Sequence, residues 1–458
     1  MKKPCIQLCL AVLAATLGSP ARLAGQSQAP GPLAAKIDAI FDATRGQDQP
    51  GAAVIVLRDG QTVHSRAYGL ANVELGVSNT TRTKFRIASL TKTFTALIVL
   101  QLVEQGRLRP EDKLAMYIPD FAGGDRITIH HLLSHTAGLP DFIPFDRAKS
   151  MQPESAPGER LNYSNIGYIA LGKVIAKVTG RTYEEQLREA ILAPLGMADT
   201  GVDRRGSILK NRASGYVRGP QGTLVNAEPA GSGHEPEAGG LYSTAEDLAV
   251  WVKALLAGRI VSLETLKKAT TPVRLNDGRN GGYGYGFMLN TFRGLRELGH
   301  GGDIDGFNSY AAIYPDEQLA VVVLSNIGMH SAGVIPTGGE IAHRIVGMAA
   351  ARTLGPEWPP VVDVPTTVLD QYVGRYRVEA PAMITGVMGD TIEFARDGSR
   401  LFATAKQGKA EVFAQSATTF YAKGTFATFT FIPGSGAAPA SAVVTLAGVR
   451  EYRLVKLP

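Results

Sequence analysis

Cysteine is nearly missing from this chain of 458 residues. There are two, Cys5 and Cys9, and both fall inside a stretch that reads as removable. With them gone there is no disulfide framework, no thiol chemistry and no cysteine-based metal site. Excess charge of one sign is scarce as well. The formal net charge is +6, and removing residues 1–25 takes away Lys2, Lys3 and Arg22, so the 47 basic residues become 44 against 41 acidic ones, a net of +3. So small and dispersed a charge gives no footprint for a nucleic-acid partner. No segment recurs at a fixed period, which argues against a solenoid or propeller. The apolar stretch "PCIQLCLAVLAATLG", residues 4–18, is too short to span a bilayer comfortably.

That stretch follows Lys2 and Lys3 and precedes small residues, the pattern of a secretory signal with cleavage after Ala21 or Gly25. "LAGQ" has Gln26 where a lipidated cysteine would stand. The expectation is a signal peptide over 1–25 and an exported protein, periplasmic or secreted, with no stable membrane insertion after processing; the alternative is an uncleaved anchor. Hydrophobic content of 45% with 19% charged residues is a globular composition. The length suggests two or three domains.

"RTLGPEWPPVVDVP", residues 352–365, carries four prolines and reads as a linker. Before it, helix and strand signals mix, and residues 27–351 form a first domain. After it come short β-rich runs: "GRYRV", "TIEFARDGSRLFATA", "AEVFA", "TTFYA", "ATFTFI", "VVTLAG" and "EYRLVKL". Asp397-Gly398 is a hairpin turn between two of them. Residues 367–458 therefore read as a small antiparallel barrel or sandwich. The first domain opens with "GAAVIVLRDG" and "QTVHSRAYG", a hairpin joined at Asp59-Gly60.

Next comes "FRIASLTKTF", residues 85–94. From Leu90 the apolar residues predict a helix buried on most sides and closed by Gly106. Ser89 and Lys92 lie three apart, so both face one side of that helix. A serine hydroxyl needs a base to become a nucleophile, and a lysine serves when burial or a neighbouring cation lowers its pKa. At a helix start, Ser89 also meets the positive end of the dipole, which favours an oxyanion. Ser-x-x-Lys is weak evidence alone, since it arises about once by chance in a chain of this composition, and Ser89 also reads as a plain N-cap.

Two more stretches add chemistry. "PGERLNYSNIGYIALG" sets Tyr163-Ser164-Asn165 before an apolar helix, and "ELGHGGDIDGFNS" sets His300-Gly301-Gly302 between strand-like runs. A phenol can share protons with an ammonium, an amide can orient a substrate, and paired glycines let a strand edge come close to one. The bland alternatives are a core tyrosine, a helix cap at Asn165 and a strand histidine. His131 and His135 are four apart beside His130, a zinc-like spacing, but Leu132 stands where a catalytic glutamate would; a structural role is expected. Ser243 and Glu246 are spaced as a capping box. Asp303 and Asp305 read as loop residues.

With these motifs in this order, the chain resembles serine hydrolases of the β-lactamase-related family, which includes class C β-lactamases, DD-peptidases, D-amino-acid peptidases and esterases. The likeness covers about residues 35–350, with Tyr163 74 residues and His300 211 residues after Ser89. "ITIHHLLSHTAGLPDF" and "AGGLYSTAEDLAVW" support it. The resemblance implies an α/β fold of the β-lactamase/transpeptidase type: an antiparallel sheet flanked by helices with a helical subdomain, followed here by a lipocalin-like β-barrel. It implies Ser89 as the acylated nucleophile and Lys92 with Tyr163 as the proton-shuttling pair. Asn165 would bind the substrate amide, and His300, Gly301 and Gly302 would line the strand facing the substrate. The backbone N–H groups of Ser89 and Asp303 would form the oxyanion hole.

No metal or other cofactor is implied, and the partner is a small molecule or short peptide. His-Gly-Gly replaces the usual Lys-Thr-Gly, so β-lactam carboxylates are held less firmly; small esters or D-amino-acid and peptidoglycan-like peptides are favoured, with hydrolysis of β-lactam antibiotics as the alternative. A non-hydrolytic sensor and a metal hydrolase built on His130–His135 are the readings of other classes.

Overall fold

The computed structural model describes residues 31–457, apart from 45–47, 142, 205, 220–222, 229–234, 329–336, 351–353, 355–359, 381–384, 386–387, 407, 423–426, 433–440 and 447–449. The signal-peptide reading of residues 1–25 lies outside them, as does half of the proline-rich linker.

Six antiparallel strands form the central sheet, in the order Met288–Phe292, Leu295–Ile304, Phe307–Tyr314, Leu319–Ser325, Ala52–Arg58, Gln61–Tyr68. The two N-terminal strands are the expected hairpin. Asp59 and Gly60 both take positive φ (51° and 71°), as a tight turn matching strand twist requires. Alternation assigns the two sheet faces. Along Ala52–Arg58, Ala53, Ile55 and Leu57 enter one core, and Ala52, Val54 and Val56 enter the other. The second face is covered by the helices Pro32–Thr44, through Ile37 and Phe41, and Gly338–Ala349, through Ile341, Ala342, Ile345 and Val346.

The first face carries the larger core and the helices Thr91–Glu104, Asn165–Thr179 and Ala245–Leu256. Thr91–Glu104 is buried from Thr91 through Leu100, which explains why its apolar residues show almost no sidedness. Gly106 follows it at φ 68°.

The C-terminal strands close into an eight-stranded antiparallel barrel, which resolves the barrel-or-sandwich alternative. Each strand from Gly374–Glu379 to Arg450–Lys456 pairs with the next, and the last pairs with the first. Eight strands leave an interior that side chains can fill, and here they do. Tyr376, Phe394, Phe420, Phe429 and Phe431 pack together, and Tyr372 of the short helix Thr366–Tyr372 stacks on Phe431 at 4.0 Å.

Candidate active site

The strand Phe85–Arg86 pairs with Leu241–Ser243, and the Ile87 N–H donates to the Leu241 carbonyl. The chain then bends sharply. Ala88 sits at φ 46°, a left-handed conformation that costs an L-residue about 1–2 kcal/mol. The bend is held because the Ile87 carbonyl accepts from Ser309 Oγ (2.7 Å) and from the Leu90 N–H (3.2 Å). A 3₁₀ turn, Ala88–Leu90, leads directly into Thr91–Glu104. Ser89 stays half-buried on this turn, while Lys92, one turn on, is wholly buried. Lys92 Nζ lies 3.1 Å from Ser89 Oγ and donates to Asn165 Oδ1 and to the Ala238 carbonyl, each at 2.7 Å.

Tyr163 and Asn165 arrive at the start of Asn165–Thr179. Ser164, rather than Asn165, is the N-cap: its hydroxyl accepts from the Gly167 N–H and donates to the Pro140 carbonyl. The half-buried Tyr163 ring packs on His135 at 4.1 Å, and Lys92 Nζ sits 4.9 Å from its centroid. Asn165 uses its amide on two neighbours: Oδ1 accepts from Lys92, and Nδ2 donates to Asp141.

The third stretch lies on Leu295–Ile304, the second strand of the central sheet. Gly302 must be glycine, since a Cβ there would stand 2.1 Å from the Ile87 carbonyl oxygen and 2.5 Å from Ser309 Oγ. This close approach brings the strand against the turn that carries Ser89. The His300 ring points inward and is fully buried, with Nδ1 2.5 Å from the Gly301 carbonyl and Nε2 2.9 Å from Tyr283 Oη. Gly301 and Asp303 remain partly accessible along the same edge.

The structure thus brings Ser89, Lys92, Tyr163, Asn165 and the glycine-bearing strand to one place. It also brings in Asp141, the Ala238 carbonyl and Tyr283, to which sequence reasoning gave no role, and His135, for which it expected a structural one. His135 lay in the histidine cluster, but the helix Ile129–Leu133 ends before it, and His135 turns away at φ 57° to accept from the Ser164 N–H. The i, i+4 spacing with His131 is therefore not realised. His131 instead closes a capping box with Thr128, and burial pulls its pKa down to about 4, helped by His130 and Lys113. His130 is bonded to Tyr285 Oη at 2.6 Å. Among the described residues no group of three or more His, Cys, Asp or Glu side chains is placed to hold a metal.

The other capping assignment shifts by one residue. Thr244, not Ser243, caps Ala245–Leu256, accepting from the Asp247 N–H. Ser243 is still paired to Phe85, and its hydroxyl is bonded to Thr200 Oγ1. Among the described residues no helix is long and apolar enough to cross a membrane.

A family model described as Beta-lactamase matches residues 37–333. Protein flp of Staphylococcus aureus is 28% identical over 300 residues, 61% of this chain, and the match spans 60% of that protein's length. Penicillin-binding protein 4* of Bacillus subtilis is 26% identical over 435 residues, 88% of this chain and 94% of that protein. An octameric penicillin-binding protein homologue from Pyrococcus abyssi superposes over 93% of this chain and 99% of its own, with a TM-score of 0.63 and 26% identity. The D-amino acid amidase of Ochrobactrum anthropi covers 70% of this chain and all of its own, with a TM-score of 0.61 and 26% identity. With its match spanning well over half its length, the chain belongs to the β-lactamase family.

Proposed function

We propose that this chain cleaves esters or amides by acylating Ser89, with small esters and D-amino-acid or peptidoglycan-like peptides as its favoured substrates. The observation that carries the reading is the fully buried Lys92 Nζ, 3.1 Å from Ser89 Oγ. In its neutral form Lys92 takes the Ser89 proton as Oγ attacks the carbonyl carbon. The tetrahedral oxyanion is met by the Ser89 and Asp303 N–H groups, a pairing supported by the contact of Gly302 with Ile87. Tyr163, over which Lys92 sits, passes a proton to the leaving oxygen or nitrogen. Water then attacks the acyl-enzyme, the same pair removes its proton, and Ser89 regains its own.

Similarity to the D-amino acid amidase and to penicillin-binding proteins supports the substrate classes. His300 is tied to Tyr283, which supports weak β-lactam carboxylate binding and hence slow β-lactam turnover. The same proposal includes export to the periplasm or medium, supported by Lys2, Lys3 and the short apolar run after them. It also includes the division at residues 352–366, supported by the barrel's separate apolar core.

The test is turnover of a short-chain p-nitrophenyl ester by the wild type and by Ser89→Ala. The wild type should turn over and the variant should fall to background. Equal activity in both would overturn the assignment of Ser89.

A further inference from the structure

We infer that Asp141 is a positioning residue: it fixes which way the Asn165 amide faces, and through Asn165 it aims Lys92 at Ser89. The inference rests on the reading of Ser89 as nucleophile and Lys92 as its base.

Asp141 ends the segment "GLPD", which is laced to the start of Asn165–Thr179. The Ser164 hydroxyl donates to the Pro140 carbonyl at 2.8 Å, and Asn162 Nδ2 donates to the Leu139 carbonyl at 3.0 Å. Held there, the Asp141 carboxylate meets Asn165 three times. The Asn165 N–H donates to Oδ1 at 2.9 Å, and Nδ2 donates to Oδ1 at 3.0 Å and to Oδ2 at 3.3 Å. The site is the first turn of a 15-residue helix, where a negative charge is favoured.

An ionised carboxylate only accepts hydrogen bonds, and an amide side chain has one end that donates and one that accepts. Two carboxylate oxygens on one side therefore force the amide NH₂ toward Asp141 and its oxygen toward Lys92. That oxygen, at 2.7 Å, and the Ala238 carbonyl, also at 2.7 Å, are fixed acceptors for two positions on Lys92 nitrogen. The third position faces Ser89 Oγ, which can give its proton. An amine with two protons and one lone pair matches these three oxygens when the lone pair points at the serine. Turning the Asn165 amide round would set NH₂ against the lysine and break the match, and Asp141 prevents this.

The test is burst kinetics on the p-nitrophenyl ester with four proteins: Asp141→Asn, Asn165→Ala, the double variant and Asp141→Glu. Ser89→Ala serves as the control. Asp141→Asn is close in shape but can donate, so the amide loses its enforced orientation. The acylation rate constant should fall about 10- to 100-fold, with KM unchanged within about twofold. Asp141→Asn should have little further effect in the Asn165→Ala background, since the residue it acts through is gone. Asp141→Glu, which still only accepts, should recover part of the rate, and it carries the test if Asp141→Asn does not fold.

Unchanged acylation in Asp141→Asn, a loss that appears in KM alone, or full additivity with Asn165→Ala would each overturn the inference. Any of these with an inactive Ser89→Ala leaves the acyl-enzyme reading standing. An active Ser89→Ala would remove that reading itself.

Discussion

Two ionisable side chains are wholly buried on opposite sides of the central sheet, Lys92 and Glu297. Each meets several polar partners. Lys92 meets Ser89, Asn165 and the Ala238 carbonyl. Glu297 accepts from Tyr310 Oη at 2.7 Å, from Tyr314 Oη, and from His343 Nε2 at 2.7 Å. A buried ionisable group therefore does not mark the site by itself. The distinction lies in the partners. Those of Glu297 are donors on packed elements around it, which suits a structural anchor. One partner of Lys92 is a half-exposed hydroxyl that can either accept or give a proton. Chemistry needs that ambivalent partner; stability needs only full satisfaction.

The sharpest way to break the comparison is Lys92→Met. It should lower kcat/KM for the ester by about 10³-fold. Stability should change little: Met fills the volume of the lysine stem and removes the cost of burying the amine, but it leaves Asn165 Oδ1 and the Ala238 carbonyl without their donor, an opposing cost of about 1–3 kcal/mol. Chemical denaturation and ester kinetics on the same preparations check both. A large loss of stability, with activity falling only in step with the folded fraction, would make Lys92 an anchor like Glu297.

Glu297→Gln should show the reverse pattern. Two tyrosines and a histidine would lose an anionic acceptor, and the fold should lose about 3–5 kcal/mol, while the folded enzyme turns over at the wild-type rate. Burial pushes the Glu297 carboxyl up, but the bonds and charge of His343 and the two tyrosine hydroxyls outweigh it and leave it below its ordinary value. A lowered carboxyl stabilises the fold above its unfolded pKa and loses that contribution as pH drops through the folded one. The gap between wild type and Glu297→Gln should therefore narrow in acid below the ordinary carboxylate range, as followed by urea unfolding across pH.

Much of this architecture can be read in the sequence wherever a local rule governs. Asp59-Gly60 announces its turn, the barrel strands alternate and break at turn residues, and Ser89 and Lys92 meet because three residues on a helical path share a side. What the sequence hides depends on contacts far along the chain. Asp141 reaches Asn165 only through the folded path of the loop, and Lys92 finds the Ala238 carbonyl 146 residues away. Backbone carbonyls carry no residue-type signal at all. His300 reads in the sequence either as a substrate-lining residue or as a strand histidine, and nothing local announces that Tyr283 stands beside it. Cap assignment at Ser243 slips because strand pairing holds that residue one position longer than the local pattern implies.

Glu237 sharpens the comparison with a third buried ionisable side chain, one that is left partly unsatisfied. Its backbone is tied into the site: its carbonyl accepts from Thr95 Oγ1 at 2.7 Å, one turn along from Lys92, and the next carbonyl holds Lys92 itself. Its side chain packs against Gly172, and Oε2 has no hydrogen-bond partner among the described residues. Burial pushes its pKa up to about 7 from 4.5; Glu235 adds to the rise and Lys173 opposes it. A raised carboxyl keeps its proton in the fold while the unfolded chain releases it, so the fold loses stability as pH climbs from the unfolded to the folded pKa. Glu237→Gln removes that loss. It should have no effect near pH 4 and should stabilise by about 3 kcal/mol above pH 7, from a shift of this size at about 1.4 kcal/mol per unit. Turnover should be unchanged, because it is the backbone at this position that serves Lys92. Urea unfolding of both proteins from pH 4 to 8 checks the slope, and a pH-independent difference would show that Glu237 is compensated in the fold as fully as Glu297.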